Sequence, residues 1–258
     1  MFANRQTSKQ TEDAVFLKTF VRSWRLTNQN GATLAEMEDN LHRFALTLHA
    51  SDGRISAADA TALRFPYNTC VEAEALLNKI VGTDLSQAPQ LDRLERSYQC
   101  THLLDMSGLA ARHALRGENA SLRYDATIEL DPQTGPVRAT LQRNNAEVLR
   151  WDMAGTMIKG PEQFAGLDIL TTLPKFAYAQ LQGDEQEAVN VLKRATHIGR
   201  NAMYIAQMAQ AQESGAMANA PPTCHSLRQG LRARVMPDFV RDYSETAALL
   251  QPITVATA

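Results

Sequence analysis

The chain has 258 residues, with 26 Lys and Arg against 28 Asp and Glu, a formal charge of -2, and 44% hydrophobic and 21% charged residues. That balance suits a globular chain with a large core, in one large domain or two packed halves. It offers no cationic field for a polyanion, so nucleic acid is not an expected partner. Three cysteines without a close pair, Cys70, Cys100 and Cys224, point to a reducing compartment rather than a disulfide framework. The amino terminus lacks the apolar core of a signal peptide, and no run reaches the ~20 apolar residues of a membrane span. A cytoplasmic protein with no membrane partner is therefore expected.

Residues 1–14 are polar and read as a flexible terminus. Phe16 to Thr27 alternates as a strand with Arg22, Trp24 and Leu26 on one side, and Asn28 to Gly31 turns the chain. Leu41 to Ala50 alternates more plainly, placing His42 on the side of Phe44, Leu46 and Leu48. A turn at Ser51 to Arg54 returns it as Ile55 to Leu63. Helices are expected from Cys70 to Val81, stopped by Gly82, and from Ser97 to Leu115. The second half repeats this outline, with strands at Leu122–Leu130, Val137–Arg143 and Glu147–Ile158. A helix near Asp168 to Leu181 interrupted by Pro174 and a long one from Asp184 to about Gln210 follow.

Two β-β-β-α-α halves, 15–117 and 121–212, therefore make one α+β domain over 15–212. Their strands are expected to join as a six-stranded antiparallel barrel or curved sheet with helices packed outside. Residues 213–258 read as an Ala, Gly and Pro-rich linker and a tail lying on the body.

In the helix from Ser97, Tyr98, His102 and Asp105 fall at i, i+4 and i+7 and share a face. A carboxylate one turn beyond an imidazole can hold its tautomer, the arrangement general-base chemistry needs, so His102 oriented by Asp105 is a candidate base. On the long helix Lys193, His197, Arg200 and Tyr204 form a titratable stripe suited to a carboxylate or phenolate. His42, Cys70, Cys100 and His102 are alternative zinc ligands, but no C-x-x-C or H-x-x-x-H pair supports them. Phosphate-loop, nucleophile-elbow, dinucleotide and H-E-x-x-H motifs are absent, which disfavours nucleotide- and nicotinamide-dependent enzymes.

Three pieces, Leu41-His42-Arg43-Phe44, Pro66-Tyr67-Asn68-Thr69-Cys70 and Gln99-Cys100-Thr101-His102-Leu103, resemble the pattern of the DUF2889 family over roughly residues 20–116. Arg43 and Gln99 stand where that pattern usually has Asp and Gly. The resemblance implies a bacterial protein linked with catabolism of aromatic and related small molecules, and brings His42, Tyr67, Cys70, Cys100 and His102 forward together. The expected function is a cofactor-independent lyase that releases an aldehyde such as formaldehyde from a lignin-derived aromatic compound. His102 and Asp105 would act with His42 and Tyr67 in proton transfer, while Tyr98, Lys193, His197, Arg200 and Tyr204 would hold the substrate. No metal is required. A zinc-dependent hydrolase or lyase and a non-catalytic binding or assembly module are the alternatives, with homo-oligomerisation left open.

Overall fold

The computed structural model describes residues 17–87, 91, 99–202, 224–228, 231 and 233–252. Eight strands form one antiparallel sheet: β1 (Thr19–Gln29), β2 (Ala32–Asp39), β3 (Arg43–Ser51), β4 (Arg54–Arg64), β5 (Ser121–Asp131), β6 (Gly135–Arg143), β7 (Ala146–Ala154) and β8 (Met157–Gly160). Their order is β4-β3-β2-β1-β5-β6-β7-β8, so two four-stranded meanders meet at the central β1–β5 pair, where Trp24 faces Tyr124. Tight hairpins link the early strands. Asn30-Gly31 and Asp52-Gly53 take positive φ at both positions, which matches the right-handed twist of paired strands.

The α+β class and the antiparallel sheet agree with the sequence reading, but each half carries four strands rather than three. β2, with the sequence A-T-L-A-E-M-E-D, is rich in helix-favouring Ala, Leu, Glu and Met, yet Thr33, Ala35, Met37 and Asp39 alternate inward between two strong strands. β8 is the end of the expected 147–158 strand, folded back at Gly155, whose φ is +61°. The sheet is not closed into a barrel: β4 and β8 are its edges among the described residues.

Helices cover one face. α1 (Thr101–Ala114) packs on β1, β2 and β3, and α3 (Gly183–Ala202) packs on β1, β5, β6 and β7. α2 (Leu173–Gln180) leans on α3, with Pro174 in its first turn, where a missing N–H costs nothing, instead of breaking it. The expected helix from Cys70 consists of two 3-10 stretches, Asn68–Ala73 and Ala75–Ile80; between them Glu74 accepts the Ala62 amide of β4 at 2.7 Å and ties the junction to the sheet. Under the helices lie Phe20, Trp24, Met37, Phe44, Ile128 and Trp151, all buried. No helix among the described residues is long and apolar enough to cross a membrane.

Gly199 sets how closely α3 approaches β1, because a Cβ there would stand 2.9 Å from Phe20 Cδ1 and 3.2 Å from its Cβ. Gly199→Ala gains about 1 kcal/mol of helix propensity but forces a buried ring to move, an overpacking cost of roughly 1–3 kcal/mol. The variant should therefore unfold at lower urea concentration than the parent; a higher midpoint would mean that Phe20 has room to yield.

Candidate functional site

The corner joining β2 to β3 gathers buried polar groups: Glu38, Asp39, Asn40 and His42, with Arg22 beside them. Arg22 and Asp39 face each other across β1 and β2, and both side chains point into the helix-covered layer, where neither is more than 1% exposed. Asp39 Oδ2 accepts two N–H groups of the Arg22 guanidinium, which also lies 5.5 and 5.6 Å from the centroids of Phe20 and Trp24. Oδ1 accepts the backbone amides of Leu41 and His42, each at 2.7 Å, and lies 3.1 Å from His42 Nδ1. If Nδ1 carries the proton, as this contact favours, His42 Nε2 is left as an acceptor.

His42 meets His102, the second residue of α1. Their ring centroids are 4.0 Å apart, and Phe44 lies 5.9 Å from one ring and 5.8 Å from the other. Cys100, at the N-cap of α1, has its Sγ 3.9 Å from His102 Nδ1, while His102 Nε2 is buried with no hydrogen-bond partner among the described residues. A buried imidazole nitrogen that accepts no proton donor keeps its lone pair, the feature a base requires.

The electrostatics separate the roles. Burial would raise the pKa of Asp39, but Arg22 and His42 beside it hold the carboxyl well below its usual range, so it is ionised. Burial pushes His102 well below the ordinary imidazole value, and His42, Arg22 and Arg194 push the same way against the opposing Asp39, so His102 is neutral.

The other predicted residues are spread around this centre. Asp105 forms an ion pair with the nine-tenths-buried Arg194, through its Nε, across α1 and α3 at 3.0 Å, and the carboxylate held against an imidazole of the pair is Asp39, on His42. Lys193 and Asp105 line a cavity of about 70 Å³ between the two helices, with Trp24, Arg194, Arg112 and Glu187. His197 and Arg200 are half-buried further along α3. Tyr98 and Tyr204 fall outside the described residues.

Tyr67 is buried with Cys70 and Ala233. Burial, reinforced by Cys224 and Cys70, pushes its phenol up to about 12. Burial likewise raises Cys70 to about 11, and raises Cys100 with Cys70 contributing.

Asp39 and Arg22 were missed as site residues. Their signal was a charged side chain in an inward series, Phe20, Arg22, Trp24, Leu26, together with an acid placed to meet it across the strand.

Ligand atoms of Asp39, His42 and His102 come within 4.8 Å of one another, and neither Cys70 nor Cys100 joins that set among the described residues. Among the described residues these three groups are the donor set that could hold a metal ion, and Asp39 already accepts the Arg22 guanidinium and the Leu41 and His42 amides.

A comparison with curated proteins finds no match. The stretch 19–116, which holds all three motif pieces as well as Arg22 and Asp39, matches the family model described as protein of unknown function DUF2889.

Proposed function

We propose that the protein is a cofactor-independent carbon–carbon lyase that releases an aldehyde such as formaldehyde from a small aromatic or phenolic compound, including those derived from lignin, in the cytoplasm. The observation that carries this reading is the imidazole pair, with His102 neutral and its buried Nε2 unbonded and His42 backed by the ionised Asp39.

In a retro-aldol step a base takes the proton of the substrate's hydroxymethyl group and the neighbouring carbon–carbon bond breaks. The oxygen lone pair becomes the aldehyde carbonyl, and the bonding electrons move to the carbon conjugated with the aromatic acceptor. His102 takes the proton in this scheme and passes it to Nε2 of His42, whose ring Asp39 orients through Nδ1, and that same proton is returned to the carbon. Tyr67 takes part in the same transfer. Lys193, His197 and Arg200 supply hydrogen bonds and charge to the phenolate oxygen.

The test is incubation of the purified protein with a panel of hydroxymethyl-bearing aromatic compounds, with assay of released aldehyde. Release by the parent and a fall of about 10²–10⁴-fold in His102→Gln is the expected result, the range that removal of a general base produces. Equal release by both proteins would remove His102 from the chemistry. A folded protein that binds members of the panel and releases nothing would be a binding module.

A further inference from the structure

The C-terminal segment lies outside the family match, yet it touches all three motif pieces in turn. The His225 amide donates to the Gln99 carbonyl at 3.0 Å, just before α1 and His102. Ser226 Oγ lies 2.9 Å from Thr69 Oγ1 and 3.5 Å from Cys70 Sγ. The Met236 amide donates to the Pro66 carbonyl, and Arg234 and Asn68 exchange bonds through the Asn68 amide and side chain. The Arg241 amide then donates to the Asn40 carbonyl at 2.7 Å, and Asn40 Nδ2 donates back to the Arg241 carbonyl. Arg43 finally donates to the Gln251 carbonyl at 2.6 Å.

Arg64, at the end of β4, fastens this segment to the corner. Its guanidinium donates to the carbonyls of Asp39 at 2.6 Å, Asn40 at 3.1 Å and His42 at 3.3 Å, and also to that of Phe239 in the C-terminal segment at 2.7 Å. Glu38 takes a further bond from it at 3.1 Å and secures the far end of the segment by accepting Tyr243 Oη and the Leu250 amide. One planar fork thus grips the backbone of the residues that carry Asp39 and His42 together with the segment that reaches to the start of α1.

We propose that residues 224–228 and 233–252 form a strap that sets the spacing of His42 against His102, with Arg64 as the positioning residue that fastens it. The proposal rests on the lyase reading only where activity is measured. A side chain that holds a catalytic corner affects turnover through geometry, and displacements near 1 Å cost up to about 10²-fold in rate.

The experiment uses the full-length chain with Arg64→Ala and Arg64→Lys. In the imidazole region of the NMR spectrum, the His42 Nδ1 proton held by Asp39 should give a downfield signal in the parent. It should be lost in Arg64→Ala and partly restored in Arg64→Lys, while the backbone spectrum of β5 to β7 stays in place. On any compound that is turned over, kcat should fall about tenfold or more in Arg64→Ala with KM changed by less than about threefold. An unchanged imidazole signal in Arg64→Ala would overturn the strap whether or not any compound reacts. Loss of that signal in a protein inactive on every compound would uphold the strap and reject the lyase. Should Arg64→Ala not fold, Arg64→Lys decides: an imidazole signal identical to the parent's counts against the proposal, and a shifted one supports it.

Discussion

Asp39→Ala should cost the fold about 3–5 kcal/mol, the penalty for breaking a buried ion pair by removing one partner. Arg22 would be left with its charge in a layer walled by Phe20 and Trp24, and the amides of Leu41 and His42 would lose their shared acceptor. Replacing both partners with apolar side chains, Arg22→Met with Asp39→Leu, removes the stranded charge. That double variant should recover more than about half of the loss, but not all of it, because the corner amides still lack their acceptor. Urea unfolding of the double variant, of Arg22→Met alone and of Asp39→Leu alone completes the cycle, with Asp39→Ala measured beside them. A loss below about 1 kcal/mol for Asp39→Ala would show that water reaches Arg22. Under the lyase reading the single variant should also be inactive, since His42 loses the group that orients it.

Stability should fall as the pH drops below the ordinary imidazole value of 6.5, and His102 should account for much of the slope. Its pKa in the folded state is lowered, so the unfolded chain binds a proton that the folded chain refuses. Unfolding then takes up a proton, and stability rises with pH across the interval between the folded value and 6.5, at about 1.4 kcal/mol per pH unit for one proton. The contribution is fully present above pH 6.5 and is lost as the pH falls toward the folded value. Burial is the largest cause, and His42 from the corner, Arg22 from β1 and Arg194 from α3 also disfavour the cation, with Asp39 from β2 only partly offsetting them. His113, also lowered by burial, acts in the same direction. Asp39 adds a separate acid limb, present above the ordinary carboxyl value of 3.8 and lost below it as the pH falls through the folded value. Urea unfolding between about pH 5 and 7 should show a shallower slope for His102→Gln than for the parent. Parallel slopes would mean that the ring takes up its proton without leaving the folded state.

The strands whose side chains alternate strongly were legible in the sequence. β1, β3 and β5 stand where alternation placed them, and His42 points with Phe44, Leu46 and Leu48 toward the helices. β2 was not legible, because its residues favour a helix when read singly and become a strand only between β1 and β3. The meeting of His42 with His102 could not come from periodicity, since it depends on where α1 lands on the sheet. Only the likeness to a family pattern grouped the two. The pairing of Asp39 with Arg22 needed the β1–β2 register, and the misassigned partner of Asp105 needed the approach of α3. The C-terminal strap was the least legible part, because most of its bonds run through backbone amides and carbonyls, which leave no mark on side-chain pattern.

The place of β1 in the sheet bears on how the family-matching stretch can be handled. That stretch begins with β1, but β1 is an interior strand, bonded to β2 on one side and, from Thr19 to Thr27, to β5 on the other. Excised at residue 116, it would bare a row of unsatisfied amides and carbonyls beside a Phe20 and a Trp24 stripped of their cover by α3, a template for pairing with any other extended chain. The matched stretch is thus half of an object that coheres only when whole, and expressed alone it should go to the pellet.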